Sequence, residues 1–159
     1  IMKKLLFMAI GLIGGLTFAQ VSTGELNGIK LHMTVAELNQ KFNQHITPKV
    51  TDNFTDEPQN YTPVKINGVQ YNILFVKSEY DPKVAVYSIA TTDAKSKGKS
   101  PVGIGSTLAD LKKAYAKEST DLTKSRFTVY QKNTGEQILI FELKNNKVAR
   151  IFVSVFAAG

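Results

Sequence analysis

Apolar and polar residues follow three different rhythms along this chain. Residues 5–18 carry no charge and are almost wholly apolar or small. Val35, Leu38 and Phe42 then recur at spacings of three and four, and Leu108, Leu111 and Tyr115 repeat that spacing, the period of one buried stripe on a helix. Elsewhere the rhythm shortens to two, in runs rich in Val, Ile, Tyr and Phe bounded by Gly, Asn and Pro. The pattern predicts helices over 34–45 and 107–118. It predicts strands over 63–67, 69–78, 83–92, 126–132, 136–144 and 147–156.

These elements fall in the same order twice. Thr34, Ala36 and Leu38 match Thr107, Ala109 and Leu111, and Phe42 matches Tyr115, at a constant offset of 73. Each Thr precedes an acidic residue by three positions, Glu37 in one case and Asp110 in the other. That is capping-box spacing: the Thr oxygen accepts an orphan backbone N–H, and the carboxylate reaches back to the cap. Further on, Tyr71-Asn72-Ile73-Leu74-Phe75 pairs with Gln137-Ile138-Leu139-Ile140-Phe141, and Lys83-Val84-Ala85 recurs as Lys147-Val148-Ala149. Asn67-Gly68 and Thr134-Gly135 supply turn chemistry ahead of the matched strands.

The expected fold is therefore α+β: two tandem copies of a helix plus a three-stranded antiparallel sheet, behind an N-terminal export signal. The expected boundaries are a signal peptide at 1–19, a first unit at 20–94, a linker at 95–101 and a second unit at 102–159. The linker lysines, Lys95, Lys97 and Lys99, read as a solvated connector.

One buried sheet face does not account for the strands. Ile73, Phe75, Tyr87, Ile89, Leu139, Phe141, Ile151 and Val153 are the expected core positions against the helices. The alternate positions should then be polar. Leu74, Val76, Val86, Ile138, Ile140, Phe152 and Phe156 are not. Either this second face packs within the chain, partly beneath a loop carrying Phe54 and Tyr61, or it is an apolar patch that binds a partner.

Export changes the picture of where such a patch works. Lys3 and Lys4 precede the apolar run, and Thr17-Phe18-Ala19 closes it with the small residues a signal peptidase requires. The run is shorter than the roughly 20 residues that span a bilayer. Cleavage after Ala19 leaves 140 of the 159 residues, enough for one core, and lowers the formal charge from +7 to +5 by removing Lys3 and Lys4. The chain has no cysteine, so neither a disulfide, a lipid-carrying N-terminal Cys nor a thiolate metal site is open to it. The expected location is periplasmic or extracellular.

The starts Gly28-Ile29 through Leu38 and Gly103-Ile104 through Leu111, each followed by strands ending in Lys-Val-Ala, resemble those of the secreted β-lactamase inhibitor proteins and the related small outer-membrane assembly lipoproteins. The resemblance spans most of residues 27–156 and rests on short motifs. It departs from those families in lacking both disulfides and the acylated Cys. It implies a sheet face that binds protein.

Catalytic chemistry is sparse. His32 and His45 are the two histidines, and neither lies in a nucleophile motif. His45 reads as a last-turn residue complementing a helix dipole. Asp52, Asp56 and Glu57 form a loose acidic group without the alternating ligands and glycine turn of a calcium loop. Gly103 and Gly105 give Gly-x-Gly without a third glycine or a preceding Rossmann strand. The sequence thus predicts no enzyme, no cofactor, no metal and no nucleic-acid partner. It predicts an exported protein-binding module (inhibitor, adaptor or envelope-assembly factor) acting through Leu74, Val76, Val86, Ile138, Ile140, Phe152 and Phe156. The alternative is a basic binder of an anionic envelope component, such as lipid or cell-wall polymer, in peripheral contact with the membrane.

Overall fold

The computed structural model of the protein describes residues 21–77, 82–97 and 100–156. The expected signal peptide, 1–19, lies outside the described residues. Three two-residue strands open the described chain: β1 (Val21–Ser22), β2 (Glu25–Leu26) and β3 (Ile29–Lys30). Helix α1 (Val35–Phe42) follows, then β4 (Thr62–Ile66), β5 (Val69–Lys77) and β6 (Val84–Thr91). The second half holds α2 (Leu108–Ala114), β7 (Ser119–Thr123), β8 (Arg126–Tyr130), β9 (Gln137–Lys144) and β10 (Lys147–Val155).

Two tandem helix-plus-three-strand units are not what forms. The long strands make one seven-stranded antiparallel sheet in the order β4-β5-β6-β10-β9-β8-β7, and β1–β3 make a separate small sheet. The α+β expectation gives way to a mostly β protein, with only two short α-helices among the described residues. Backbone hydrogen bonding explains the merger. Separate three-stranded sheets would leave β6 and β10 with open edges, and an open edge is a row of unpaired donors and acceptors. Instead Ile151 to Ser154 pair with Thr91 to Ser88. Strand β7 escaped the pattern because all five of its residues are exposed, so its sequence shows no alternation.

Both helices start as their residues dictate. The Thr34 hydroxyl accepts the Glu37 N–H and the Glu37 carboxylate accepts the Thr34 N–H; Thr107 and Asp110 repeat the exchange. Such a cap is worth about 1 kcal/mol. Asn43 ends α1 in the left-handed conformation. His45 therefore lies beyond the helix rather than in its last turn.

The strand match needs a second correction. The Val86 N–H donates to Met33 O while its carbonyl accepts the His32 N–H. Val148 makes the same exchange with Ser106 and Gly105. Val148 is thus matched by Val86, not by Val84, and the Lys-Val-Ala correspondence is off by two residues. Both strands carry a one-residue bulge just beyond this point, at Tyr87 in β6 and at Ala149 in β10. Phe75 faces Val86 and Leu74 faces Ser88, which leaves Tyr87 as an extra residue in β6. Because side chains alternate along a strand, one inserted residue exchanges faces. Val86 turns into the main core beneath the helices, and Tyr87, an expected core residue, turns to the opposite side.

That main core joins Leu38 of α1 and Leu111 of α2 to Ile73, Phe75, Ile89, Leu139, Phe141, Ile151 and Val153. Tyr115 packs on Phe141 at 5.6 Å between ring centroids, and its hydroxyl donates to Val21 O at 2.8 Å, which ties the small sheet to the end of α2. The connector is less free than expected. Lys95 and Lys97 are exposed, but Ser96 and Ser100 are buried, and the Ser96 carbonyl accepts a hydrogen bond from Asn27.

Candidate binding face

The sheet face opposite the helices is built from the alternate strand positions. Its register follows from pairing: Leu74 beside Ser88, Ser88 beside Ser154, Ser154 beside Ile138, and Ile138 beside Tyr130. The next row runs Asn72, Ala90, Phe152, Ile140, Thr128. A third carries Arg150, Glu142 and Arg126.

Two halves of this face differ in what lies over them. The polar loop before β4 folds across the β5–β6 half. Val50 bridges to Phe75 in parallel register, the Thr51 N–H donates to the Phe75 carbonyl, and Phe54 rests on Tyr87 with ring centroids 4.9 Å apart. Tyr61, Leu74 and Ala90 form a small buried cluster there, against which Val76, Tyr87 and Phe152 pack. Ser88 and Ser154 meet at 2.7 Å between their hydroxyl oxygens, so the polar atoms at the centre of the face are satisfied.

The loop is fastened at its far end by charge. Asp56 accepts two hydrogen bonds from the Arg150 guanidinium, at 2.6 and 2.8 Å, and a third from the Tyr61 hydroxyl. Arg150 also lies 3.6 Å from Glu142, which in turn holds Arg126 at 3.4 Å. The guanidinium of Arg150 covers the Phe152 ring at 5.3 Å. Burial works to raise the Asp56 pKa, but the Arg150 and Tyr61 hydrogen bonds outweigh it and hold the carboxyl below its usual range. Tyr61 is pushed well above the usual phenol value, by burial first and then by its bond to Asp56. These side chains, with Asn72 and Pro58, line an open polar cleft of about 360 Å³.

The seven candidate residues do not form one open patch. Leu74 is fully buried under the loop, Val86 lies in the main core because of the Tyr87 bulge, and Ile138 is buried. Val76, Ile140 and Phe152 are half-buried, and Phe156 is 46% exposed. What remains accessible is the β8–β10 half, with Ile140 and Phe152 at its centre, Tyr130 and Phe156 at one end and Arg126 at the other. The sequence reading missed Arg150, Glu142 and Arg126. No local signal reveals them, since Arg150 meets Asp56 across 94 positions of chain.

Other chemistry stays dispersed. His32 and His45 are both exposed, and among the described residues no group of His, Asp and Glu is arranged to hold a metal ion. No described helix is long and apolar enough to cross a membrane.

No family model matches the sequence, and no curated protein matches it. Among solved structures the chain is similar to a DUF4309 family protein, YjgB, from Bacillus subtilis subsp. subtilis str. 168. The likeness has 12% sequence identity over 81% of this chain and 83% of that one, with a TM-score of 0.46. At this identity and TM-score it assigns neither fold nor function.

Proposed function

We propose that the protein is an exported binding module that recognises another exported or envelope protein through the β8–β10 half of its outer sheet face. The observation that carries the reading is the unequal cover of that face. Its β5–β6 half is sealed by the chain's own loop and Phe152 is half-buried at the border, whereas Ile140 is half-buried and Phe156 exposed on the other half, with the exposed guanidinium of Arg126 at the opposite end from Phe156. Apolar and aromatic side chains with an arginine at the margin are the composition of a protein-recognition surface. The lysine pair, apolar run and Thr17-Phe18-Ala19 at the start of the chain support export, and the short-motif resemblance to secreted inhibitor proteins supports a protein as the partner.

The test is site-specific photo-crosslinking in envelope extract of the natural host. A photoreactive residue replacing Phe156 should give one discrete protein adduct that survives high salt. The same residue replacing Lys112, exposed on α2, should give none. Adducts formed only from position 112, or lost as salt screens charge, would overturn this reading in favour of a basic surface that holds an anionic envelope component.

A further inference from the structure

We infer that the free edge of β7 takes up an extended segment of another protein as an eighth strand of the large sheet, with a basic residue opposite Asp121 and an apolar one opposite Leu122. This edge is a separate surface from the outer face, and the inference does not depend on the binding role proposed for that face.

Pairing within the sheet shows which backbone groups are on offer. The Gln131 N–H donates to the Gln137 carbonyl and the Leu143 N–H to the Ser125 carbonyl, so odd-numbered residues of β8 bond to β9 and even-numbered ones to β7. The β7 partners of the latter are Ser119, Asp121 and Thr123. Thr120 and Leu122 therefore turn their N–H and C=O groups away from β8, to a side where no described strand lies. Sheets usually blunt such an edge with proline, lysine or a bulge. The opposite edge, β4, carries exposed Pro63 and Lys65. Strand β7, Ser-Thr-Asp-Leu-Thr, has neither residue, and its register with β8 is unbroken.

The same edge refuses a second copy of itself. A two-fold antiparallel pairing that uses both Thr120 and Leu122 centres on Asp121 and sets it opposite its own copy, like charge against like, with Cα atoms about 4.5 Å apart. Centring on Thr120 would need the Glu118 N–H, which already donates to the Tyr115 carbonyl. Centring on Leu122 would need Lys124, which turns out of the strand with a φ of +56°. A foreign strand with Lys or Arg opposite Asp121 replaces the repulsion with an ion pair. Asp121 accepts a hydrogen bond from Thr123 Oγ1 at 2.6 Å and makes no ion pair among the described residues. Leu122 lies opposite the core residue Phe127, so it points to the helix side of the sheet, where it is 43% exposed. With Leu108 and Leu143 it walls an open cleft of about 380 Å³. An apolar side chain on the added strand, opposite Leu122, would cover it. Backbone bonds supplying affinity and alternate side chains supplying selectivity are the chemistry of strand addition.

The experiment titrates isotope-labelled protein with the end-blocked peptide Thr-Val-Lys-Val-Thr, which reads the same in both directions, and with Thr-Val-Glu-Val-Thr, and follows backbone amide resonances. The expected result is saturable shifts centred on Thr120 and Leu122 at millimolar Lys peptide, with roughly fivefold weaker binding of the Glu peptide. Asp121→Lys should reverse that preference; Asp121 is exposed, so the change leaves the fold intact. Thr120→Pro should abolish binding, because it removes an N–H that β8 does not use, at a position where an edge strand tolerates proline. No shift at millimolar peptide overturns the inference. So do equal binding of the two peptides, shifts confined to β4, and a wild-type protein that dimerises through β7. Binding of the Lys peptide without a Phe156 crosslink removes the outer face and leaves the edge. The crosslink without peptide binding removes the edge alone.

Discussion

Asp56 and Arg150, 94 residues apart, meet in a two-pronged ion pair that fixes the loop before β4 to β10, the central strand of the sheet. The pair sits at the border between the covered and open halves of the outer face. It is neither fully exposed nor fully buried, with the two side chains 33% and 22% accessible.

Asp56→Asn should loosen that attachment. The variant keeps the shape and loses the charge, and it leaves Arg150 with only Glu142 and Tyr61 with a weaker acceptor. Allowing for partial solvent screening, the cost is about 1–2 kcal/mol near neutral pH. The sign of the pH dependence follows from the depressed carboxyl. A group whose folded pKa lies below its unfolded value stabilises the fold above the unfolded value, about 3.9 for Asp, and loses that contribution as pH falls through the folded one. Urea unfolding at pH 7 and at successively lower pH below about 4 should therefore show the difference between wild type and variant shrinking with acid. A difference that stays constant would mean that the ion pair is not what holds the loop.

Gly105→Ala should cost about 1–2 kcal/mol in the same assay, for a purely conformational reason. Gly105 adopts a φ of +88°, and an added Cβ would meet no atom within 4 Å. His32, at the matching place before α1, has a φ of +68° and already bears that strain. His32→Gly should then be neutral or mildly stabilising, because relief of the strain offsets the added freedom of the unfolded chain. Equal destabilisation by both changes would show that the backbone conformation is not the cause.

Much of the chain's local structure was legible because it is written in neighbouring residues. The capping boxes at Thr34 and Thr107 and six of the seven strands of the large sheet, all but β7, follow from spacing alone. The joining of β6 to β10 was not legible, since nothing in Ser88 or Ser154 states which strand lies beside it. Nor was the Tyr87 bulge, a single inserted residue that sends Val86 into the core and Tyr87 out of it. The candidate face suffered most from these two facts. Alternation placed Leu74, Ile140 and Phe152 on the correct side of the sheet but could not show that a loop anchored by Asp56 lies over part of it.

Export is checked by intact-mass measurement of protein from the natural host. The Lys3-Lys4, apolar, Thr17-Phe18-Ala19 order predicts a chain starting at Gln20, with or without cyclisation of that residue. Recovery of the full-length chain from the membrane fraction would contradict it.

Truncations across the outer face should sort by cover rather than by residue type. Leu74 is fully buried beneath the loop, so Leu74→Ala should cost about 2–5 kcal/mol through lost contacts and the cavity left behind. Phe156 is a larger side chain, yet it is 46% exposed, and Phe156→Ala should change stability by no more than about 0.5 kcal/mol. Phe152 falls between, because it is half-buried, packed against the Tyr61, Leu74 and Ala90 cluster with the Arg150 guanidinium over its ring. Its truncation should cost about 1–2 kcal/mol, part of it from the cation–π contact. Binding should rank in the opposite order: a partner on the open half should be lost with Phe156→Ala, in a protein whose unfolding midpoint has not moved. If Phe156→Ala instead unfolds the protein as readily as Leu74→Ala, the β8–β10 half is part of the core and offers no surface to a partner.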